Sequence, residues 1–334
     1  MLSVLIYLTP LWITVLGAFG RPAKRQQYIF FACISIFLIL ALRQNVGYDY
    51  GEYLFRLSEN IPPREPIAQL LFYFSRWTSI YPLYFVFNAL ISIFLLYRVA
   101  KREDNIWIII NYITLPWFFV ESFSAVRQAL SIVFAINAYH HYSKKEHFWF
   151  FTFGILSACA HYAAIPFILI LSILNLSDKY SRYIFLFVFS IFLWSFFNDA
   201  ILSLFIQNIG VLRYYSNGTS FGFGQLVLAI IMIVISTGAI GSRNSSKILW
   251  IGLIIFIICL SIDSALSRLA WFFFIPLLWF DWRLVFGRIR LTGAIRLFPI
   301  LFLSALLLTY LWVKSADELN SLIPYTSYLS GMFG

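Results

Sequence analysis

The sequence predicts an all-α polytopic membrane protein, and three observations lead there. Its 334 residues are 61% hydrophobic and 11% charged, with a mean hydropathy of +0.84, more apolar surface than one soluble core of this length can bury. The apolar residues fall in runs that read as about twelve spanning helices. The basic residues sort by loop: of 24 Lys and Arg, sixteen lie in one set of short loops with five acids, and eight lie on the other side with nine. The sixteen mark the cytoplasmic face, because cytoplasmic loops carry the Lys/Arg excess. The net charge of +10 is therefore topological, and no nucleic-acid partner is expected.

The first span, 2–19, precedes Arg21, Lys24 and Arg25. With positive charge after the apolar run and no small-residue cleavage pattern, it reads as a retained span and not a signal peptide. Further spans are expected at 28–42, 81–98, 105–120, 122–141, 148–161, 163–177, 183–198, 223–241, 248–262, 268–283 and 296–313, with both termini outside. Several are shorter than the roughly 20 residues a perpendicular helix needs, so broken or re-entrant pieces are expected among them. Between 148 and 174 the chain must turn at His161-Tyr162; one long span there would put Arg243, Lys247, Arg283, Arg288, Arg290 and Arg296 outside. No repeat or soluble domain is visible, so 1–334 reads as one integral membrane domain with external segments 43–81, 199–222 and 314–334. Cys33, Cys159 and Cys259 lie inside apolar runs and read as reduced core residues.

The external segments hold the chemistry. The first runs Arg43-Gln44-Asn45-Val46-Gly47-Tyr48-Asp49-Tyr50-Gly51-Glu52-Tyr53, and after Pro62-Pro63 comes Arg64-Glu65-Pro66 and the apolar stretch Ile67 to Trp77. Pro suits a first helical turn and a carboxylate suits the positive helix end, so a periplasmic amphipathic helix lying on the membrane is expected after the second span. Glu65 is then either only a cap or a working carboxylate, and Gly47 and Gly51 either permit turns or do more. Arg127 lies about five residues inside span 122–141; a lipid-facing guanidinium there costs roughly 2 kcal/mol or more, so it should face a polar cavity, with Glu121 or Asp49 as candidate partners. His161 sits at the external turn and reads as either a packing residue or a catalyst. His140, His141 and His147 read as interfacial solvation near Lys144 and Lys145, and no metal site is expected.

Arg43, Arg127, Arg213 and Arg268 reach one membrane face from separate segments. Planar guanidinium forks bind phosphate bidentately, so together they suit an anion with several oxygens, such as a lipid-linked diphosphate. Arg56, Arg64 and Arg76 read better as head-group anchors. Tyr48, Tyr50, Tyr53 and Tyr214 can stack on a ligand face and donate hydrogen bonds or form the interfacial belt, the belt being preferred for most of them.

In that order and spacing, Arg43, Gly47, Asp49 and Tyr53, then Glu65-Pro66, then Arg127-Gln128, then His161, the chain resembles the EpsG family, relatives of the Wzy-type polysaccharide polymerases, from about residue 40 to 215. It departs from the family pattern at Tyr48, where a small residue is commoner, and at Tyr162, where serine is. The resemblance implies a GT-C-like fold and a glycosyltransferase in the bacterial plasma membrane. The enzyme would join undecaprenyl-diphosphate-linked repeat units into O-antigen, capsule or exopolysaccharide on the outer face. Donor and acceptor glycans on that carrier, membrane lipids, and a chain-length regulator and flippase of the same pathway are the implied partners, with no cofactor. On that reading Arg127, Arg213, Arg268 and Arg43 hold diphosphate, stabilising charge on the leaving group. His161, Asp49 or Glu65 is the base, His161 preferred because imidazole titrates near neutrality. A flippase or exporter of lipid-linked oligosaccharide is the rival from another class, and would carry charges near the bilayer midplane and internal repeats. An O-antigen ligase would differ only in acceptor, and a passive scaffold would leave Arg127 without a purpose.

Overall fold

The structure, a computed structural model, describes residues 2–19, 22–47, 49–174, 183, 229–231, 233–234, 243–262, 266–281, 301–302, 304–305, 307–309, 311 and 325. The described residues are helical, and they fall into two compact units: residues 1–162 with 281–334, and residues 163–280.

In the first unit the helices are α1 (Leu2–Phe19), α2 (Arg25–Ala41), α3 (Tyr50–Ser58), α4 (Pro66–Trp77), α5 (Leu83–Arg102), α6 (Trp107–Thr114), α7 (Val126–Ser143) and α8 (His147–Ala160). Helix α7 is the centre, buried from Gln128 through His141. It packs on α8 and α5. Ser131 Oγ donates to the Ser157 carbonyl and Ser157 Oγ to the Ser131 carbonyl, each at 2.8 Å. Small hydroxyl residues let two backbones approach closely and satisfy each other's polar groups where no water is at hand. Helices α1 and α2 pack together, and α2 packs on α5.

Among the described residues, α5 is the one helix long and apolar enough by itself to cross a membrane; shorter apolar helices cover 4–18, 25–41, 147–160, 162–174, 244–259 and 266–279. The expected span 105–120 is broken: α6 ends after eight residues, about 12 Å of helix. From Leu115 to Ala125 the chain turns through a 3-10 helix at Val120–Phe123 and stays buried. Its backbone is satisfied locally, with Phe119 N–H donating to Tyr112 O at 3.1 Å and Ala125 N–H to Glu121 O at 2.8 Å. Irregular backbone in an apolar setting is tolerated where protein surrounds it. Accordingly α7 begins at Val126, and Arg127 lies in its first turn instead of five residues inside it.

The charge sort reappears as two ends of one bundle. At one end Arg25 pairs with Asp104 at 3.3 Å, and Lys144 with Glu103 at 3.1 Å, so three loops expected on the cytoplasmic side meet there. Arg127 starts α7 and His140 nearly ends it, about 20 Å apart along a helix rising 1.5 Å per residue. His140 and His141 are 3% and 1% exposed, which corrects their reading as interfacial solvation. His140 Nδ1 lies 2.9 Å from Glu103 Oε1, and His141 Nδ1 meets Glu146.

The break expected at His161 is present: α8 ends at Ala160, and His161 is extended at φ −161°, ψ 125°. A 3-10 turn at Tyr162–Ala164 follows, and the second unit continues with α9 (Ile165–Leu174), α10 (Arg243–Ile262) and a long 3-10 helix at Leu266–Trp279. Helix α10 lies against that 3-10 helix, with Phe256 on Phe274 at 5.6 Å and Phe167 of α9 on Phe273 at 5.3 Å. The expected spans 183–198, 223–241 and 296–313 fall largely outside the described residues.

Candidate functional site

Helix α4 begins as its sequence foretells, with Pro66 at the first position and Glu65 extended before it. Glu65 makes no side-chain capping bond; its carboxylate is used elsewhere. The residue is 4% exposed. Oε2 accepts from Arg127 Nη1 at 2.7 Å, and Oε1 lies 2.9 Å from His161 Nδ1. Arg127 Nε donates to Tyr53 Oη at 3.2 Å, and the guanidinium carbon lies 5.8 Å from the centre of the Tyr53 ring. Tyr162 Oη donates to the Arg64 carbonyl at 3.1 Å, tying the residue after His161 to the residue before Glu65. Four separate stretches thus meet around one ion pair: α3, the start of α4, the first turn of α7 and the end of α8.

The electrostatics fix the protonation pattern. Burial by itself would raise the Glu65 carboxyl, but the hydrogen bond from His161, the Arg127 charge and a backbone donor outweigh it and hold the group at about 2. Glu65 is then ionised and can only accept, so His161 Nδ1 donates in that bond. Burial also pushes the Tyr53 phenol up, partly countered by Arg127, so Tyr53 stays neutral. His161 and Arg127 each keep 28% of the side chain exposed. Because Glu65 is depressed in the folded protein, its contribution to stability is complete above the ordinary carboxylate range and falls away as pH drops from about 4.5 toward 2. Thermal unfolding of the wild type should show this acid loss, and Glu65→Gln should flatten it.

Not every candidate joins this cluster. Arg43 is 2% exposed and donates through Nη1 to the Ser122 carbonyl at 3.1 Å. Its guanidinium lies between Phe85 at 4.8 Å and Phe123 at 5.4 Å. Burial lowers its pKa to about 10, with Tyr50, Tyr53, Tyr325 and Tyr7 opposing. It lines a cavity of about 20 Å³ with Asn88, Ser92, Tyr112 and Ser122, room for one water and too small for a diphosphate. In this structure Arg43 is a clamp inside the bundle. Gly47 completes the clamp: at φ +98° its Cα packs so closely that a Cβ would stand 2.0 Å from the Phe123 carbonyl oxygen.

Tyr50 is 2% exposed and stacked on Phe85 at 4.7 Å, a packing residue here. Asp49 precedes α3 without a side-chain capping bond and lies close enough to Tyr53 to act on its phenol. Arg268, in the second unit, lies over Trp271 at 5.8 Å. Tyr48, Arg213 and Tyr214 lie outside the described residues. Tyr325 Oη donates to the Ile39 carbonyl at 2.8 Å and its ring meets Tyr7. Among the described residues no three metal-binding side chains converge.

The EpsG family matches residues 27–327, nearly the whole chain and all of the cluster just described. The chain belongs to the EpsG family. As an EpsG protein it is a helical membrane protein of polysaccharide biosynthesis. No curated protein and no solved structure matches it. Sequence reasoning named Glu65, Arg127, His161 and Tyr53 separately, but chose Glu121 or Asp49 as the partner of Arg127; in this EpsG chain the partner is Glu65. It also missed α3, whose buried Tyr50, Tyr53 and Leu57 recur at i, i+3 and i+7, a legible signal, and the Tyr162 strap, for which no local signal exists.

Proposed function

We propose that this EpsG protein is a GT-C-type glycosyltransferase with about twelve spans. It polymerises undecaprenyl-diphosphate-linked oligosaccharide repeat units at the outer face of the bacterial plasma membrane. The observation that carries the reading is the buried Glu65 carboxylate joined to both Arg127 and His161. An ionised carboxylate that orients an imidazole beside a guanidinium supplies both needs of glycosyl transfer from a diphosphate: a proton acceptor and a stabiliser of developing negative charge.

In the proposed step an acceptor hydroxyl attacks the anomeric carbon of the donor glycan. The hydroxyl proton passes to His161 Nε2, a new glycosidic C–O bond forms, and the C–O bond to diphosphate breaks with its electron pair going to the phosphate oxygen. Arg127 has N–H donors beyond those on Glu65 and Tyr53 and keeps part of its surface open, so it meets that phosphate. Glu65 positions both groups and stabilises the imidazolium that forms, as the carboxylate of a catalytic triad does. With its carboxyl held at about 2, Glu65 is too weak a base to take the proton itself. Arg213 and Arg268 are further diphosphate candidates, and Asp49 is the alternative base.

The test is purified protein supplied with undecaprenyl-diphosphate repeat units, read as a ladder of lengthened glycans. His161→Ala should lose the ladder, Glu65→Gln should weaken it and alter its pH profile, and Asp49→Asn should leave it. If His161→Ala keeps near-normal turnover while Asp49→Asn loses it, the base is Asp49. If labelled lipid changes leaflet but never lengthens, the protein is a transporter and the reading fails.

A further inference from the structure

Helix α4 has two apolar faces, and the fold covers one of them. Ala68, Leu71, Phe72 and Ser75 are buried, and α4 packs on α5 and α8. The opposite stripe is Leu70, Tyr73, Phe74 and Trp77, at the i, i+3, i+4, i+7 spacing of one helical face. These four are 69%, 48%, 40% and 81% exposed. A helix that turns such a stripe outward needs a partner of low polarity, since contiguous exposed apolar patches mark interaction surfaces.

The structure says which partner. The Phe74 ring meets Phe87 of α5 edge-on at 4.9 Å. One turn and two turns beyond Phe87, Leu90 and Phe94 are 48% and 62% exposed, so the stripe continues without interruption onto the outer face of α5. Among the described residues that helix is the one long and apolar enough to cross a membrane, and in a membrane protein its outward apolar side faces acyl chains. The α4 stripe is the same surface carried past the end of the span. The charged groups at the two ends of α4 turn the other way: Arg76 donates to the Ser58 carbonyl at 3.2 Å and to Leu57 at the end of α3, and Glu65 points into the cluster. A tryptophan and a tyrosine in the outward stripe suit the boundary between head groups and acyl chains.

We propose that α4 is an interfacial helix whose Leu70-Tyr73-Phe74-Trp77 stripe is seated in the bilayer surface. The partner of this face is the lipid at the head-group boundary, and the seating holds Glu65, at the start of the same helix, at a set depth. Twelve residues of helix span about 18 Å, so a stripe fixed along that length fixes the tilt of α4 as well as its height. The proposal concerns position and not turnover, and it stands whether or not the polymerase reading does.

The experiment uses the full chain in liposomes of phosphatidylethanolamine and phosphatidylglycerol. Nitroxide labels go on Leu70→Cys, Tyr73→Cys and Trp77→Cys, with Glu59→Cys as the aqueous control and the unmutated chain measured in parallel to subtract its own cysteines. Electron paramagnetic resonance then compares collision with oxygen, which concentrates in lipid, and with a water-soluble nickel chelate. Oxygen collision should dominate at 70, 73 and 77 and the chelate at 59, at a depth of about 5–10 Å below the head groups. Chelate access at 70 and 77 equal to that at 59 would overturn the proposal. So would shielding from both reagents with spin–spin broadening, which would assign the stripe to a second copy of the chain. Three separate single substitutions keep the test decisive should one of them fail to fold.

Discussion

Arg127→Ala is expected to lower glycan lengthening by roughly 100- to 1,000-fold, the usual consequence of removing one preorganised group that stabilises developing charge. Two effects act together. On the proposed polymerase reading the leaving phosphate loses its donor, and Glu65, 4% exposed, loses the cation 2.7 Å from Oε2. The carboxylate keeps its bond to His161 but loses its full charge partner, which costs up to about 3 kcal/mol of stability. The carboxylate then relieves itself by raising its pKa from about 2 toward the ordinary value of 4.5, so the acid loss of stability should shrink, its lower limit rising while its upper limit stays in place. Arg127→Lys separates the two effects. A lysine can restore the charge beside Glu65, but its single ammonium cannot also reach Tyr53 and a phosphate in the planar geometry of a guanidinium. Thermal unfolding should therefore recover most of its midpoint in Arg127→Lys while the glycan ladder stays short. A ladder of normal length from a folded Arg127→Ala protein would remove Arg127 from the mechanism.

Gly47→Ala is expected to be the most destabilising single-methyl change in the described part of the chain. At φ +98° an L side chain is strained, by about 1–2 kcal/mol. Here the strain meets an obstacle that cannot step aside: the added Cβ would stand 2.0 Å from the Phe123 carbonyl oxygen and 2.5 Å from its carbon. Both are backbone atoms of the 3-10 turn that carries Arg43's acceptor, Ser122, and leads into Arg127. The combined cost is about 3 kcal/mol or more, within the range of strained backbone and overpacking together. The unfolding midpoint should fall sharply, and activity with it, because the start of α7 would shift. Gly51→Ala is the control. Its Cβ would meet nothing within 4 Å, the site is helical, and the variant should be as stable as wild type or slightly more so. Equal midpoints for Gly47→Ala and Gly51→Ala would show that the close approach at Phe123 does not constrain the fold.

The site was partly legible because its chemistry is local and its geometry is not. Pro66 after Glu65 announces a helix start, and α4 begins there. Arg127 at a span's edge demands a polar partner on energetic grounds alone, and it has one. The partner's identity was beyond reach: Glu65 is 62 positions from Arg127 and 96 from His161, whereas Glu121 and Asp49 looked nearer in sequence or richer in motif. Arg43 shows the opposite case. An arginine in an external polar segment reads as a ligand for an anion, yet here it is buried inside the bundle between two phenylalanine rings and donates to a carbonyl. The span 105–120 failed for a third reason. Apolar composition signals burial equally for a straight helix and for a turn enclosed by protein, and only the direction of the backbone hydrogen bonds tells them apart.

Composition and the placement of charge were enough by themselves to establish a helical membrane protein, the end of the bundle where basic loops gather, and the residue types able to do phosphate and proton chemistry. Those follow from solvation, which acts on each segment independently of the others. Which carboxylate meets which cation, which arginine turns inward, and where the helix before Arg127 gives way were decided only when distant segments packed. A buried charge takes the partner that geometry brings within hydrogen-bond reach, and that geometry belongs to the assembled bundle.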